Sequence, residues 1–164
     1  MKTNKILFLT QAAMIAALYV VLTFLANAFG MASGVIQLRL SEALTILPFF
    51  TPAAIPGIYI GCVLANALTG ACLLDILLGS LASLIGAFGA YLLRKHKWLV
   101  PVPTILANTM IVPPVLIFGY GIADVWWYLA LTVSIGEILS CGVLGMLLLF
   151  SLQKSAARIF RTTL

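Results

Sequence analysis

Charged side chains are scarce in this chain of 164 residues, and acidic side chains are the scarcest. Charged residues make up 8% of the sequence, whereas ordinary soluble domains contain about 25%. Hydrophobic residues make up 63%, so a soluble globular domain is excluded and a polytopic membrane protein is indicated. We therefore expect an all-α fold in a lipid bilayer, with residues 1–164 forming a single transmembrane domain.

Residues that carry metal, redox or catalytic chemistry are also sparse. The three cysteines lie in apolar segments without ligand-like spacing, and the single histidine, His96, lies in a basic loop. The sequence contains no HExxH pattern, no glycine-rich phosphate loop and no ATP-binding sequence. We predict that the chain is not an enzyme and uses no metal or cofactor. We also predict that it has no nucleic-acid partner.

Long apolar runs predict the membrane-crossing helices. Four runs, at 6–26, 73–93, 99–118 and 126–152, are long enough for the about 20 residues that cross a bilayer. The interval 41–68 is broken by prolines. Basic residues form three clusters, at 2–5, 94–97 and 154–161. If all three clusters are cytoplasmic, an even number of crossings separates them, so the interval 41–68 must turn round. The prediction is a six-helix bundle in the cell membrane, with short second and third helices and both termini cytoplasmic.

The short second helix predicts a pocket on the outer side. It would draw the preceding loop, residues 28–40, into the outer leaflet, where irregular backbone is tolerated only if it lines a cavity. We therefore expect an outward-facing pocket with this loop as its lid. Carboxylates within a membrane are costly and are candidate functional residues by default. All four in the chain are expected in the outer half: Glu42, Asp75, Asp124 and Glu137.

Two polar residues are predicted to meet deep in this pocket. Glu137 lies 11 residues beyond Trp126 on the last helix. At about 1.5 Å per residue, it is about 16 Å deeper in the membrane than Trp126. Asn108 lies 11 residues before Gly119 on the fifth helix, at a similar depth. A ligand could bind both side chains, or they could simply join the two helices by a hydrogen bond.

The remaining candidates lie nearer the mouth of the pocket. Ser134 shares the helical face of Glu137, and Trp126 and Trp127 could stack on a ligand or belong to the interfacial aromatic belt. Gln37, Arg39 and Glu42 lie in or near the lid, and Arg39 is the one basic residue expected outside, which suggests a gate. Helix capping explains Asp75 as well as ligand binding does, and Asp124 is interpreted as a cap.

Small residues mark a packing surface on the first helix. Ala12 with Ala16, and Ala13 with Ala17, leave two adjacent patches that would let another helix approach closely. The partner helix could belong to this chain or to another subunit.

Several segments resemble the QueT family: QLRLSEALT at 37–45, LPFFTPAAIPG at 47–57, GCVLAN at 61–66 and LDILLGSLA at 74–82. These proteins are substrate-binding S components of energy-coupling factor (ECF) transporters, associated with uptake of queuosine precursors. The resemblance implies a six-helix S component that docks on a transmembrane coupling protein and two cytoplasmic ATPases, which hydrolyse ATP. It also implies a pocket built by the outer parts of helices four to six, and docking through the Ala-x-x-x-Ala patches of the first helix.

For a ligand such as 7-aminomethyl-7-deazaguanine, we hypothesise that Glu137 and Asn108 bind the ring edge. Asp75 or Glu42 would face the amine, and a tryptophan would stack on the ring. An S component for another vitamin-like heterocycle, of pyrimidine or pyridoxine type, is an alternative. A non-transporting membrane structural protein is a second alternative. An oligomeric channel is a third, which the apolar inner halves of the helices disfavour.

Overall fold

A computed structural model describes residues 2–31 and 37–160, and every regular element in these two stretches is helical. The all-α prediction is therefore confirmed. The main elements, in chain order, are α1 (Lys2–Ala28), a central 3₁₀ helix (Leu40–Phe49), α2 (Ala54–Leu68), a first π segment (Asp75–Gly79), α3 (Ser80–Leu92), α4 (Val102–Tyr120), α5 (Trp126–Glu137), a second π segment (Ile138–Leu144) and α6 (Gly145–Gln153). A 3₁₀ turn (Lys97–Leu99) precedes α4, and α7 (Ala156–Ile159) follows α6.

The chain reverses direction after the central 3₁₀ helix, as the sequence predicted. This helix runs antiparallel to α1, because Ser41 at its start contacts Thr23 (3.0 Å between the hydroxyl oxygens). Thr51, just past its end, donates a hydrogen bond to Gln11, near the start of α1 (2.9 Å). The following helix, α2, then runs parallel to α1.

The remaining helices continue to alternate in direction. Gly86 of α3 contacts Thr104 near the start of α4, and Gly119 near the end of α4 contacts Cys72, so α3 and α4 are antiparallel. Thr109 of α4 is hydrogen-bonded to Ser134 of α5 at 3.0 Å, and Leu116, later in α4, shares a buried cluster with Leu129, earlier in α5. These two helices are therefore antiparallel as well. The described residues thus form six continuous helical rods. The first π segment leads directly into α3, and the second joins α5 to α6.

Both ends of the described chain therefore lie at the same end of the bundle. This end, which we call the basic end, holds the cationic side chains at the start of α1 and in the segments that follow α3 and α6: Lys5, Arg94, Lys95, Lys97 and Lys154. The opposite end, which we call the mouth, holds Arg39 and Asp75. The two ends differ in charge as the sequence predicted.

The lengths of the rods confirm the two short helices. Four rods are long and apolar enough to cross a bilayer, at Lys5–Ala28, Asp75–Leu92, Lys97–Tyr120 and Trp126–Gln153. At about 2.0 Å per residue, the 10 residues of the central 3₁₀ helix span about 20 Å, and the 15 residues of α2 span about 22 Å. The sequence did not predict 3₁₀ geometry, which extends further per residue than an α-helix. Residues 41–48 of this helix are all buried, so it forms the centre of the bundle.

The two small-residue patches of α1 have different surroundings. Ala12 and Ala16 are buried, because Gly57 and Gly61 of α2 pack directly on their backbone. This packing within the chain is one of the two arrangements left open by the sequence. Ala13 and Ala17, one position further round the helix, are exposed.

Candidate functional site

A cavity of about 300 Å³ lies at the mouth of the bundle. Its walls come from the second half of α1, residues 37–41, the end of α2, the start of the first π segment and the end of α4. The polar side chains on its lining include those of Thr23, Gln37, Arg39, Asn66, Asp75 and Tyr120. Three residues predicted as candidates, Gln37, Arg39 and Asp75, are therefore brought together here.

Asp75 is the acidic group of this cavity. Its Oδ2 accepts a hydrogen bond from the Tyr120 hydroxyl (3.0 Å) and lies 3.5 Å from a guanidinium nitrogen of Arg39. Its Oδ1 is buried and has no hydrogen-bond partner among the described residues. Asp75 also lies in the first turn of its helix, where the helix dipole favours a carboxylate, so the alternative role at the helix start stays open beside these contacts.

Glu42 lies beneath the cavity and does not line it. The residue is fully buried, and its Oε1 accepts hydrogen bonds from the Tyr19 hydroxyl (2.5 Å) and the Ser83 hydroxyl (3.0 Å). Its Oε2 has no partner among the described residues. Tyr19 itself lines the cavity, so its hydroxyl joins the cavity wall to this buried carboxylate.

Asn108 and Glu137 form a second buried polar group, between α4 and α5. The Asn108 side chain and the Glu137 Oε2 are buried without hydrogen-bond partners among the described residues. The Glu137 carboxyl lies close to the Asn108 side chain, and the charges of Glu42 and Arg39 also act on it. A buried polar group without a partner costs about 1–3 kcal/mol, so this position favours an additional polar partner. Neither residue lines the cavity at the mouth.

Each of two carboxylates stands at a π segment. Asp75 begins the first π segment, and Glu137 directly precedes the second. Short π segments within α-helices occur frequently at functional sites, because one extra residue redirects the side chains around it. Hydropathy carries no signal for such an insertion, so the sequence did not predict either segment.

The described part of the lid rests on α5 beside Glu137. A Cβ atom added to Gly136 would collide with the Gln37 carbonyl oxygen, so this close approach depends on glycine. Gln37 also lines a second cavity of about 130 Å³ between the lid and the α4–α5 pair. The middle of the predicted lid, residues 32–36, lies outside the described residues.

Asp124 does not cap α5, so that prediction was wrong. The capping position is Val125, no side chain makes a capping bond there, and Asp124 is exposed at the second cavity instead. Asp124, Val125 and Trp126 include no proline or glycine that would mark the first residue of the helix. The sequence therefore located the helix start only to within one residue, and the cap is Val125, one position after Asp124.

The other candidates on α5 contribute to packing or are exposed. The Ser134 hydroxyl donates to the Ala130 carbonyl (2.6 Å) and also contacts the Thr109 hydroxyl. The Trp126 and Trp127 rings pack edge to face at 4.7 Å, and Trp127 is 76% exposed. Neither tryptophan lines either described cavity.

The sequence did not predict Tyr19 and Asn66 as site residues, and it indicated Tyr120 as an interfacial or stacking aromatic residue, not as a partner of Asp75. Asn66 donates a hydrogen bond from its side chain to the Asp75 carbonyl (3.2 Å), and Tyr120 binds the carboxylate of the same residue. The one sequence feature that could have indicated these residues is that each is a polar side chain within an otherwise apolar helix. Tyr120 resembled an interfacial aromatic residue, which concealed this contact.

Comparison with known proteins places this architecture in a family. The model of the QueT transporter family matches residues 9–154. The chain belongs to the QueT transporter family. The Queuosine precursor transporter QueT of Lactococcus lactis subsp. cremoris (strain MG1363) is 35% identical to it over 98 residues. That match covers 59% of this chain and 57% of the relative, which is less than two thirds of the relative's length.

No solved structure matches the chain. The resemblance inferred from the sequence motifs is confirmed by the family match. This QueT family member is therefore a multi-pass membrane protein of a transporter family, with a charged cavity at one end of its helical bundle.

Proposed function

We propose that this QueT family member is the S component of an ECF transporter and captures a queuosine precursor from outside the cell. The observation that carries the proposal is the cavity at the mouth, with Arg39 and Asp75 on its wall and unpartnered polar groups behind it. The related protein from Lactococcus lactis is named as a queuosine precursor transporter. The mouth would face outwards, with the basic end and both termini in the cytoplasm.

The chemistry of an aminomethyl-deazaguanine matches the polar groups available. Its ring edge presents an N1–H and a 2-amino group, which a carboxylate can accept as two hydrogen bonds, and its aminomethyl group is a cation. In our proposal Glu137 and Asn108 bind the ring edge, and Asp75 or Glu42 faces the amine. Because Glu137 and Asn108 lie behind the described cavity, the ligand must separate the lid from α5 to reach them. Trp126 or Trp127 would then stack on the ring.

ATP hydrolysis would be performed by two cytoplasmic ATPases, linked to this chain by a transmembrane coupling subunit. The exposed Ala13 and Ala17 provide a small-residue surface on α1 on which a helix of that subunit could pack. Ala12 and Ala16 are already covered by α2, so they would support this surface from behind.

Binding to the purified protein tests the proposal. Native mass spectrometry should detect a carried-over deazaguanine, and calorimetry should measure its affinity in detergent. Glu137→Gln should weaken binding at least about tenfold, equivalent to about 1.4 kcal/mol, because the amide accepts only one of the two hydrogen bonds. The exposed Asp124→Asn variant is the control.

Unchanged affinity in Glu137→Gln would contradict the role given to this residue. Tighter binding of a pyrimidine or a pyridoxine-type compound than of the deazaguanine would contradict the proposed substrate. Co-purification with a coupling subunit and two ATPases tests the partners, and their absence from a complex that still transports would contradict the ECF mechanism.

A further inference from the structure

We infer that Asp75 binds the ammonium group of the ligand, and that Arg39 occupies this subsite in the empty protein. Binding would thus exchange a protein cation for a ligand cation. The inference rests on the proposed function, which left Asp75 and Glu42 as alternatives for the amine.

The surroundings of the two carboxylates distinguish them. Glu42 is fully enclosed, and two hydroxyl donors already stabilise its Oε1. Asp75 lines the cavity and is 4% exposed, and its Oδ1 is buried without a partner among the described residues. Oδ1 faces Gly79, where an added Cβ atom would collide with it, whereas Oδ2 contacts Arg39 and Tyr120 of the cavity lining. Oδ2 is therefore the oxygen that a ligand in the cavity meets.

The contact between Arg39 and Asp75 is weak for an ion pair of this kind. A single guanidinium nitrogen lies 3.5 Å from Oδ2, whereas strong arginine–carboxylate pairs form two parallel bonds at about 2.7–2.9 Å. The Arg39 side chain is 21% exposed, so it can move towards solvent. An ammonium is a compact cation with three donors, so it could replace the guanidinium at Oδ2, which Arg39 holds only loosely.

Displacement of Arg39 would act directly on the lid. Arg39 precedes the central 3₁₀ helix and lies two residues after Gln37, whose carbonyl oxygen rests on Gly136. Release of Arg39 from Asp75 removes the one ion pair that holds this segment to the first π segment among the described residues. The same exchange would make the protein selective for cationic over neutral forms of its substrate.

A pair of ligands that differ only in charge tests the inference. The affinities of 7-aminomethyl-7-deazaguanine and its neutral 7-hydroxymethyl analogue are measured by calorimetry in detergent. For Asp75→Asn, we expect at least about a tenfold loss for the aminomethyl ligand and a change within about threefold for the neutral analogue.

Arg39→Gln should have opposite effects on stability and affinity. It leaves a buried carboxylate unpaired, so the unfolding temperature should fall, but it removes the competing cation, so the aminomethyl ligand should bind several-fold tighter. Lys95→Gln, at the basic end, is the matched control and should change neither quantity.

Three results would overturn the inference: equal losses for both ligands in Asp75→Asn, an unchanged aminomethyl affinity in that variant, or weaker aminomethyl binding in Arg39→Gln. If Asp75→Asn does not give monodisperse protein, the Arg39→Gln result decides alone. Wild-type protein that binds neither ligand would instead contradict the proposed function itself, and the inference with it.

Discussion

At the scale of single residues, the Tyr19 hydroxyl connects the cavity wall to the buried interior. It donates a hydrogen bond of 2.5 Å to Glu42, a carboxylate with no solvent exposure. Within a protein surrounded by lipid, a buried carboxylate depends on such donors because water cannot replace them. The pair therefore has a structural role next to the cavity.

Removal of this donor should destabilise the protein without removing the cavity. We expect Tyr19→Phe to lower the free energy of unfolding by about 1–3 kcal/mol, because Glu42 then keeps only the hydrogen bond from Ser83. Thermal unfolding in detergent measures the change. Tyr59→Phe removes a hydroxyl from an exposed tyrosine and should have little effect. Equal effects of the two substitutions would contradict the role assigned to Tyr19.

The sequence predicted the depth of a residue in the bundle where that depth follows from counting along one regular helix. Counting residues along two helices was enough to predict that Asn108 and Glu137 lie at similar depth, and the structure places their side chains close together. The contact of Arg39 with Asp75 could not be predicted in this way. These residues are separated by a helical hairpin, and their distance depends on how the lid folds over the bundle.

At the scale of helices, close approach depends on glycine at a few positions. A Cβ atom on Gly61 would lie 2.8 Å from the Tyr19 Cβ and 3.0 Å from the Ala16 Cα, whereas one on Gly142 would have only ordinary contacts of 3.7 Å or more. We expect Gly61→Ala to destabilise the protein by about 1–3 kcal/mol through overpacking of α1 against α2. Gly142→Ala, which adds the same methyl group, should be tolerated. Thermal unfolding of both variants tests this difference.

Gly136 provides a second test at this scale. Its Cβ would collide with the Gln37 carbonyl oxygen, so Gly136→Ala should displace the lid from α5 while leaving the helices in place. We expect a loss of affinity for the deazaguanine of about tenfold or more, with Gly142→Ala again as the control. A variant that keeps full affinity would show that the lid does not need to rest on α5.

The sequence predicted the number and length of the helical segments, but it did not predict their local geometry. Prolines and hydropathy located the reversal between the central 3₁₀ helix and α2, because both signals are local. The 3₁₀ geometry of residues 40–49 and the two π segments depend on side-chain packing against neighbouring helices, which hydropathy does not encode.

At the scale of the whole molecule, the arrangement of charge predicts how the protein is inserted. Single cysteines replacing Lys5 and Lys95 should react with a membrane-impermeant thiol reagent from the same side, and one replacing Ala123 should react from the opposite side. Cys72, the one native cysteine in the described residues that is not fully buried, is first changed to serine. Labelling of positions 5 and 95 from opposite sides would contradict the six-rod topology.

The central 3₁₀ helix has a structural consequence for this molecule. It begins next to Arg39 at the mouth and leads to Phe50, whose ring stacks on Phe160 at the basic end with centroids 5.3 Å apart. Residues 41–48 of this helix are all buried, so the bundle packs around it for most of its length. The outer cavity and the last described residues are thus linked through the interior of the bundle by one buried rod of about 20 Å.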